Sequence, residues 1–182
     1  MNTFLSLPAD RRIARMLAAC GIGLLAAAPL AGYCANPDLA ALSELPPAEF
    51  GSASLRAGSV QQGALNTSRI QQRGTHASAF VNQHGDGNVA TITQAGAGNL
   101  AVAAQYGSAN QALITQAGSN DTAIAVQAGI GNQAVIEQYT NNASSTVGQF
   151  GNLNQAWVRQ TTPGSSAPVL QFGDHLKLTV FR

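Results

Sequence analysis

Three kinds of side chain in this sequence could do chemistry: carboxylates, imidazoles and primary amides. The carboxylates of its repetitive part, Asp86, Asp121, Glu137 and Asp174, show no spacing that would pair a general acid with a base. His76, His84 and His175 fall at or beside turn places, far apart and without cysteine partners for a metal. "HGDGN" at 84–88 looks like one piece of a calcium-binding repeat, which needs serial copies. The serines form no nucleophile elbow, and no Gly-Lys-Ser run cradles phosphate. The sequence therefore points to a non-enzymatic protein without cofactor, metal or small-molecule substrate. The amides are different. They recur at fixed intervals, and an amide carries both hydrogen-bond donors and an acceptor. Their chemistry would be to bond to copies of themselves.

Units of eleven residues begin at 55, 66, 77, 88, 99, 110, 121, 132, 143, 154 and 165, with a truncated one at 176. The seventh place of every full unit is Gln: Gln61, Gln72, Gln83, Gln94, Gln105, Gln116, Gln127, Gln138, Gln149, Gln160 and Gln171. The third place is Ala or Ser throughout. The ninth is Gly except where Thr140 and Thr162 stand. Alternate units carry Asn66, Asn88, Asn110, Asn132 and Asn154 at the first place, and Ile70, Ile92, Ile114, Ile136 and Val158 at the fifth. The intervening units vary at both. The true repeat is thus 22 residues, built from two similar arms.

Places one, three, five and seven share a character while two, four and six vary, which is the period of a strand. Places eight to eleven read as turns. The pattern predicts an all-β solenoid with two short strands per coil, two stacked sheets and about five and a half coils, amyloid-like in its cross-β geometry. Coils would stack at about 4.8 Å, the spacing between strands. At that spacing a column of identical amides satisfies itself, whereas a lone buried amide costs free energy. The Ile and Val column would form an apolar interior, each residue contributing roughly 1.5–3 kcal/mol. The alternative is that Gln and Asn face solvent. Against it, the charges Arg56, Arg69, Arg73, Glu137 and Arg159 occupy the variable places, which marks those as the outer face. No helix or charged cap is evident, so both ends of the stack are expected to be open to growth.

Only 9% of residues are charged and the formal net charge is +1, which excludes the basic face a nucleic-acid binder needs. Aromatics at 5% argue against a thick globular core. Residues 1–35 read as a secretory signal, with Arg11, Arg12 and Arg15 before an apolar run from Met16 to Leu30. Small residues at Ala31, Gly32 and Ala35 place cleavage near 31–36. "LAAC" at 17–20 offers a lipoprotein reading, and the Arg11-Arg12 pair a twin-arginine one. Cys20 and Cys34 both lie in or beside this signal, so the mature part is expected to lack disulfides. Residues 36–54, with Pro46-Pro47, break the strand pattern and read as an extended leader. The repeat occupies 55–182.

The pattern N-x-A-x-I-x-Q-x-G-x-x, doubled to 22 residues, resembles the curlin repeat of bacterial curli fibres. That resemblance implies a functional amyloid, exported through the periplasm into an extracellular fimbrium for adhesion and biofilm. It implies partners in the chain itself, a major curlin subunit and outer-membrane secretion and assembly proteins, with 36–54 as the segment recognised for secretion. Curlins comprise major subunits and minor, nucleating ones. "NLAVAAQYGS" at 99–108 and the tail "HLKLTVFR" resemble the minor type, which implies an anchoring or nucleating role for Lys177 and Arg182. Arg182 stands at the Gln place itself, and Pro168 interrupts a strand. The repeats carry fewer charges than minor subunits usually do, so the major-subunit reading stands beside it. A monomeric secreted solenoid that binds a surface is the third reading. The irregular outer series Arg69, Phe80, Thr91, Val102, Leu113 speaks against it.

Overall fold

Alternation of inward and outward residues leaves each arm one buried stripe, and two such arms close over each other into a coil. The computed structural model describes residues 54–182, so the signal segment and nearly all of the leader lie outside the described residues. One sheet is built from β1 (Arg56–Gln62), β3 (Ser78–His84), β5 (Leu100–Ser108), β7 (Thr122–Ile130), β9 (Ser144–Phe150) and β11 (Ser166–Phe172), in that order. The other runs β2 (Thr67–Thr75), β4 (Val89–Ala97), β6 (Gln111–Ser119), β8 (Gln133–Gln138), β10 (Gln155–Gln160) and β12 (Lys177–Phe181). Every pairing is parallel and in register with the repeat, so that Ile92 lies on Ile114 and Ile114 on Ile136. The result is a parallel β-solenoid of two six-stranded sheets, with 22 residues per coil.

The sequence suggests five and a half coils, and the structure has about six. The truncated unit supplies a complete strand, β12, paired along its length with β10.

The interior is thin, with Ile facing Ala in the middle of the stack and Val on both sheets toward the far end. Ile92, Ile114, Ile136 and Val158 are fully buried on the second sheet, and Ala103, Ala125, Val147 and Val169 lie in the same cluster on the first. The repeat is 22 and not 11 residues because each arm pairs with the arm two units on, in its own sheet.

Two turn places govern the corners. At the ninth, Gly96 has φ +114°, and a Cβ there would lie 1.8 Å from the carbonyl oxygen of Gly118 in the next coil. Only glycine permits that approach. Where Thr140 and Thr162 replace it, β8 and β10 stop at the Gln place, whereas β4 and β6 continue through the glycine. At the eleventh place φ lies between 55° and 71° in every full unit, on Leu65, His76, Ala109, Asn120, Asn142, Leu153 and His175 as well as on glycines. The histidines His76 and His175 are therefore corner residues in left-handed conformation.

Candidate functional site

A Gln side chain pointing inward from a strand meets the same Gln 22 residues on, and its amide must find three partners to be satisfied. On the first sheet Nε2 of Gln61, Gln83, Gln105, Gln127 and Gln149 each donates to Oε1 of the next Gln at 2.6–2.9 Å, ending on Gln171. On the second, Gln72, Gln94, Gln116 and Gln138 do the same at 2.8–2.9 Å, ending on Gln160. The other amide hydrogen crosses to the opposite sheet: Gln83 donates to the Thr67 carbonyl at 3.0 Å, and Gln116 to that of Leu100 at 3.0 Å. Each ladder thus runs along the axis and also ties the two sheets together. Gln83 through Gln160 are 0–1% exposed, so water supplies none of these partners.

The Asn column has the opposite sense. Oδ1 of Asn66, Asn88, Asn110 and Asn132 accepts the backbone N–H of the next Asn at 3.0–3.1 Å. Nδ2 of Asn66, Asn88, Asn110, Asn132 and Asn154 reaches the carbonyl of the turn residue 19 positions on, at 2.6–2.9 Å. The amide thereby holds the glycine turn in place. Asn99 does the same on the other sheet, donating to the Gly118 carbonyl at 3.1 Å. Its successor is Asp121. Asp121 Oδ1 accepts from the Ala143 N–H at 2.9 Å, but Oδ2 is buried with no partner. The carbonyl that an Asn would reach belongs to Thr140. A Cβ on Gly118 would lie 1.6 Å from that oxygen and 2.8 Å from Asp121 Oδ2, so the two acceptors crowd one corner. Burial pushes the Asp121 carboxyl above its ordinary range, while the Ala143 hydrogen bond pulls it down. Thr140 Oγ1, in the same corner, is also without a partner.

The Ile70, Ile92, Ile114, Ile136 and Val158 column sits between the ladders. Ile70, in the coil nearest the start, is only partly buried. Lys177 and Arg182 are brought to the far end, exposed, Lys177 opening β12 and Arg182 following it. Arg182 occupies the place of a twelfth Gln. Without an amide above it, Gln160 Nε2 turns to the carbonyl and hydroxyl of Ser165, each at 3.0 Å. At the first place of the same unit, Leu176 receives Asn154 Oδ1 on its N–H at 3.0 Å but has no amide to pass on. Sequence reasoning placed Arg182 at the Gln place but missed the two leucines beside it. Leu176, Leu178 and Arg182 replace the Asn, Ala and Gln of the preceding coil, so the last strand differs at three inner places. It also missed an outer turn ladder, where Asp86, Asn141, Asn152 and Asp174 accept backbone N–H groups from the coil before at 2.7–3.0 Å.

Fold and ladders together define a structural repeat protein, a two-sheet β-solenoid whose Gln ladders run unbroken along the stack. A family model, the curlin-associated repeat, matches residues 85–118, which span β4, β5 and most of β6. The match supports the curlin family and with it a curli-type structural subunit. A search of the curated proteins gave no match.

Proposed function

We propose that this chain is the minor, nucleating subunit of a curli-type extracellular amyloid, displaying a ready-made cross-β edge on which a major subunit polymerises. The observation that carries this reading is the pair of continuous Gln ladders. A fully bonded amide column satisfies every member except at its ends, so an end that presents an open amide gains on meeting another chain in the same frame. The backbone edges of the terminal strands act in the same direction, since unpaired N–H and C=O groups template strand addition. The departures in the last coil favour the minor over the major role: a subunit that repeats indefinitely needs two matching ends. Export through the periplasm, with residues 1–35 as signal and 36–54 as recognition segment, belongs to the same proposal, as does surface anchoring through Lys177 and Arg182.

The test is to add the purified chain, below stoichiometry, to fresh major subunit and to follow dye-reported fibre growth. A shortened lag supports nucleation. An unchanged lag rejects it, and vigorous self-assembly of this chain alone favours the major-subunit reading.

A further inference from the structure

The two ends of the stack are chemically unlike. Continuing the solenoid by one coil would pair β11 with β1 of an added chain and β12 with its β2, because the strands alternate between sheets in a fixed order. At this far end three features oppose addition. Arg182 stands where the added chain's Gln72 would seek an amide nitrogen, and a guanidinium buried there without a counter-charge is costly. Leu176 offers no side-chain oxygen to the added Asn66 N–H, which every later Asn N–H of that column receives. Pro168 lies in β11, the outermost strand of its sheet. N–H groups at even places point toward the following coil, as the Ser144 N–H to the Ser165 carbonyl shows. Pro168 is at an even place and has no N–H, so β11 lacks one outward donor.

The near end carries none of these obstacles. Among the described residues nothing donates to Oε1 of Gln61 or Gln72, although both side chains donate onward. The two strands there, β1 and β2, contain no proline. Their inner faces keep the small and amide residues of the repeat, with Ala57, Ser68, Ile70 and the two glutamines half-covered or exposed.

We propose that the near end, β1 with β2, is the templating face, and that the far end is a built-in stop. The proposal rests on the fibre reading and gives it a direction. The occupant that fits the near end is the last coil of another chain in the same 22-residue frame, one with Asn and Gln where this chain has Leu176 and Arg182 and no proline at the place of Pro168. Its Gln amides donate to Gln61 and Gln72, and its Asn oxygen receives the Asn66 N–H.

The probe is the full chain itself with its far end opened by Pro168→Thr, Leu176→Asn and Arg182→Gln. Monomers of this triple variant form the growing pool. Three seeds are compared below stoichiometry: the native chain, the triple variant, and the native chain carrying Gln61→Leu and Gln72→Leu. The native chain is expected to shorten the lag as well as the triple variant does. The Gln61→Leu, Gln72→Leu seed is expected to be roughly tenfold weaker, the effect of losing two buried amide contacts. Because these residues are at the edge, a far-UV spectrum unchanged from native shows that the seed is folded. Seeding that survives the Gln61 and Gln72 changes, or a native seed that fails while the triple variant works, overturns the polarity. Failure of the triple-variant pool to form cross-β fibres at all overturns the fibre reading itself.

Discussion

Asp121→Asn should stabilise the solenoid at neutral pH. In the native chain Oδ2 of Asp121 is buried without a donor and shares its corner with the Thr140 carbonyl. In the equivalent corners an Asn Nδ2 donates to that carbonyl at 2.6–3.1 Å. The substitution replaces an orphaned acceptor by a donor of the same shape. It removes a desolvation penalty of about 1–3 kcal/mol and adds a hydrogen bond of about 1 kcal/mol, so a net gain of about 2–4 kcal/mol follows. The pH dependence fixes the mechanism. Burial raises the folded-state carboxyl above its ordinary value of 3.8. The native chain is therefore most stable below the ordinary value, where the carboxyl is protonated in both states. It loses stability as pH rises through the raised value and is level above it. A protonated Asp121 can donate to Thr140 as Asn does, so the advantage of Asp121→Asn should vanish in acid and grow toward neutrality. None of the groups named around it, Asn99, Gly118, Thr140 and Ala143, titrates with it. The assay is guanidinium unfolding followed by far-UV circular dichroism at pH 3 and pH 7, a contrast chosen to bracket the ordinary carboxylate range. An equal gain at both pH values, or no gain at pH 7, would refute the reasoning.

Further outcomes follow from the same geometry. Gln116→Ala strands the Gln94 donor, the Gln138 acceptor and the Leu100 carbonyl, and should cost about 3–6 kcal/mol by the same unfolding measurement. Asn at this position should recover little, because its shorter side chain cannot reach both neighbours. Gly96→Ala forces a Cβ into the Gly118 carbonyl and should cost more than about 4 kcal/mol or prevent folding, seen as loss of the strand signal. Ala109→Gly goes the other way: Ala109 has φ 56°, and relieving that strain should raise the unfolding midpoint by about 1 kcal/mol equivalent. A lower midpoint would show that the corner tolerates a Cβ without strain.

The period was legible because stacking forces it. Identical columns arise only when coil follows coil in register, so Gln at every seventh place and Ile or Val at alternate fifth places announce both the sheets and their number of residues per coil. The eleventh-place corner was not legible. It is occupied by Leu65, His76, Ala109, Asn120 and Gly131 among others, and no residue type marks a conformation that the ladders on either side impose. The orphaned oxygen of Asp121 escaped notice for the opposite reason: Asp is nearly isosteric with Asn, and only the missing amide hydrogen separates them. The far end escaped because Leu176, Leu178 and Val180 look like ordinary strand residues until β12 is seen to be the last member of its sheet. Arg182 and Pro168 were the two visible hints, and their meaning depends on which neighbour each backbone group faces.

The unbroken 22-residue register has a consequence for inheritance. An insertion or deletion of one codon within a strand would turn the rest of that strand to the opposite surface, exposing its amide and burying its charges. Gain or loss of a whole coil would leave each remaining residue in its former surroundings. Such a gene keeps every surrounding intact when its length changes in steps of 66 nucleotides, three for each residue of the repeat, and tandem duplication is the route that meets this condition.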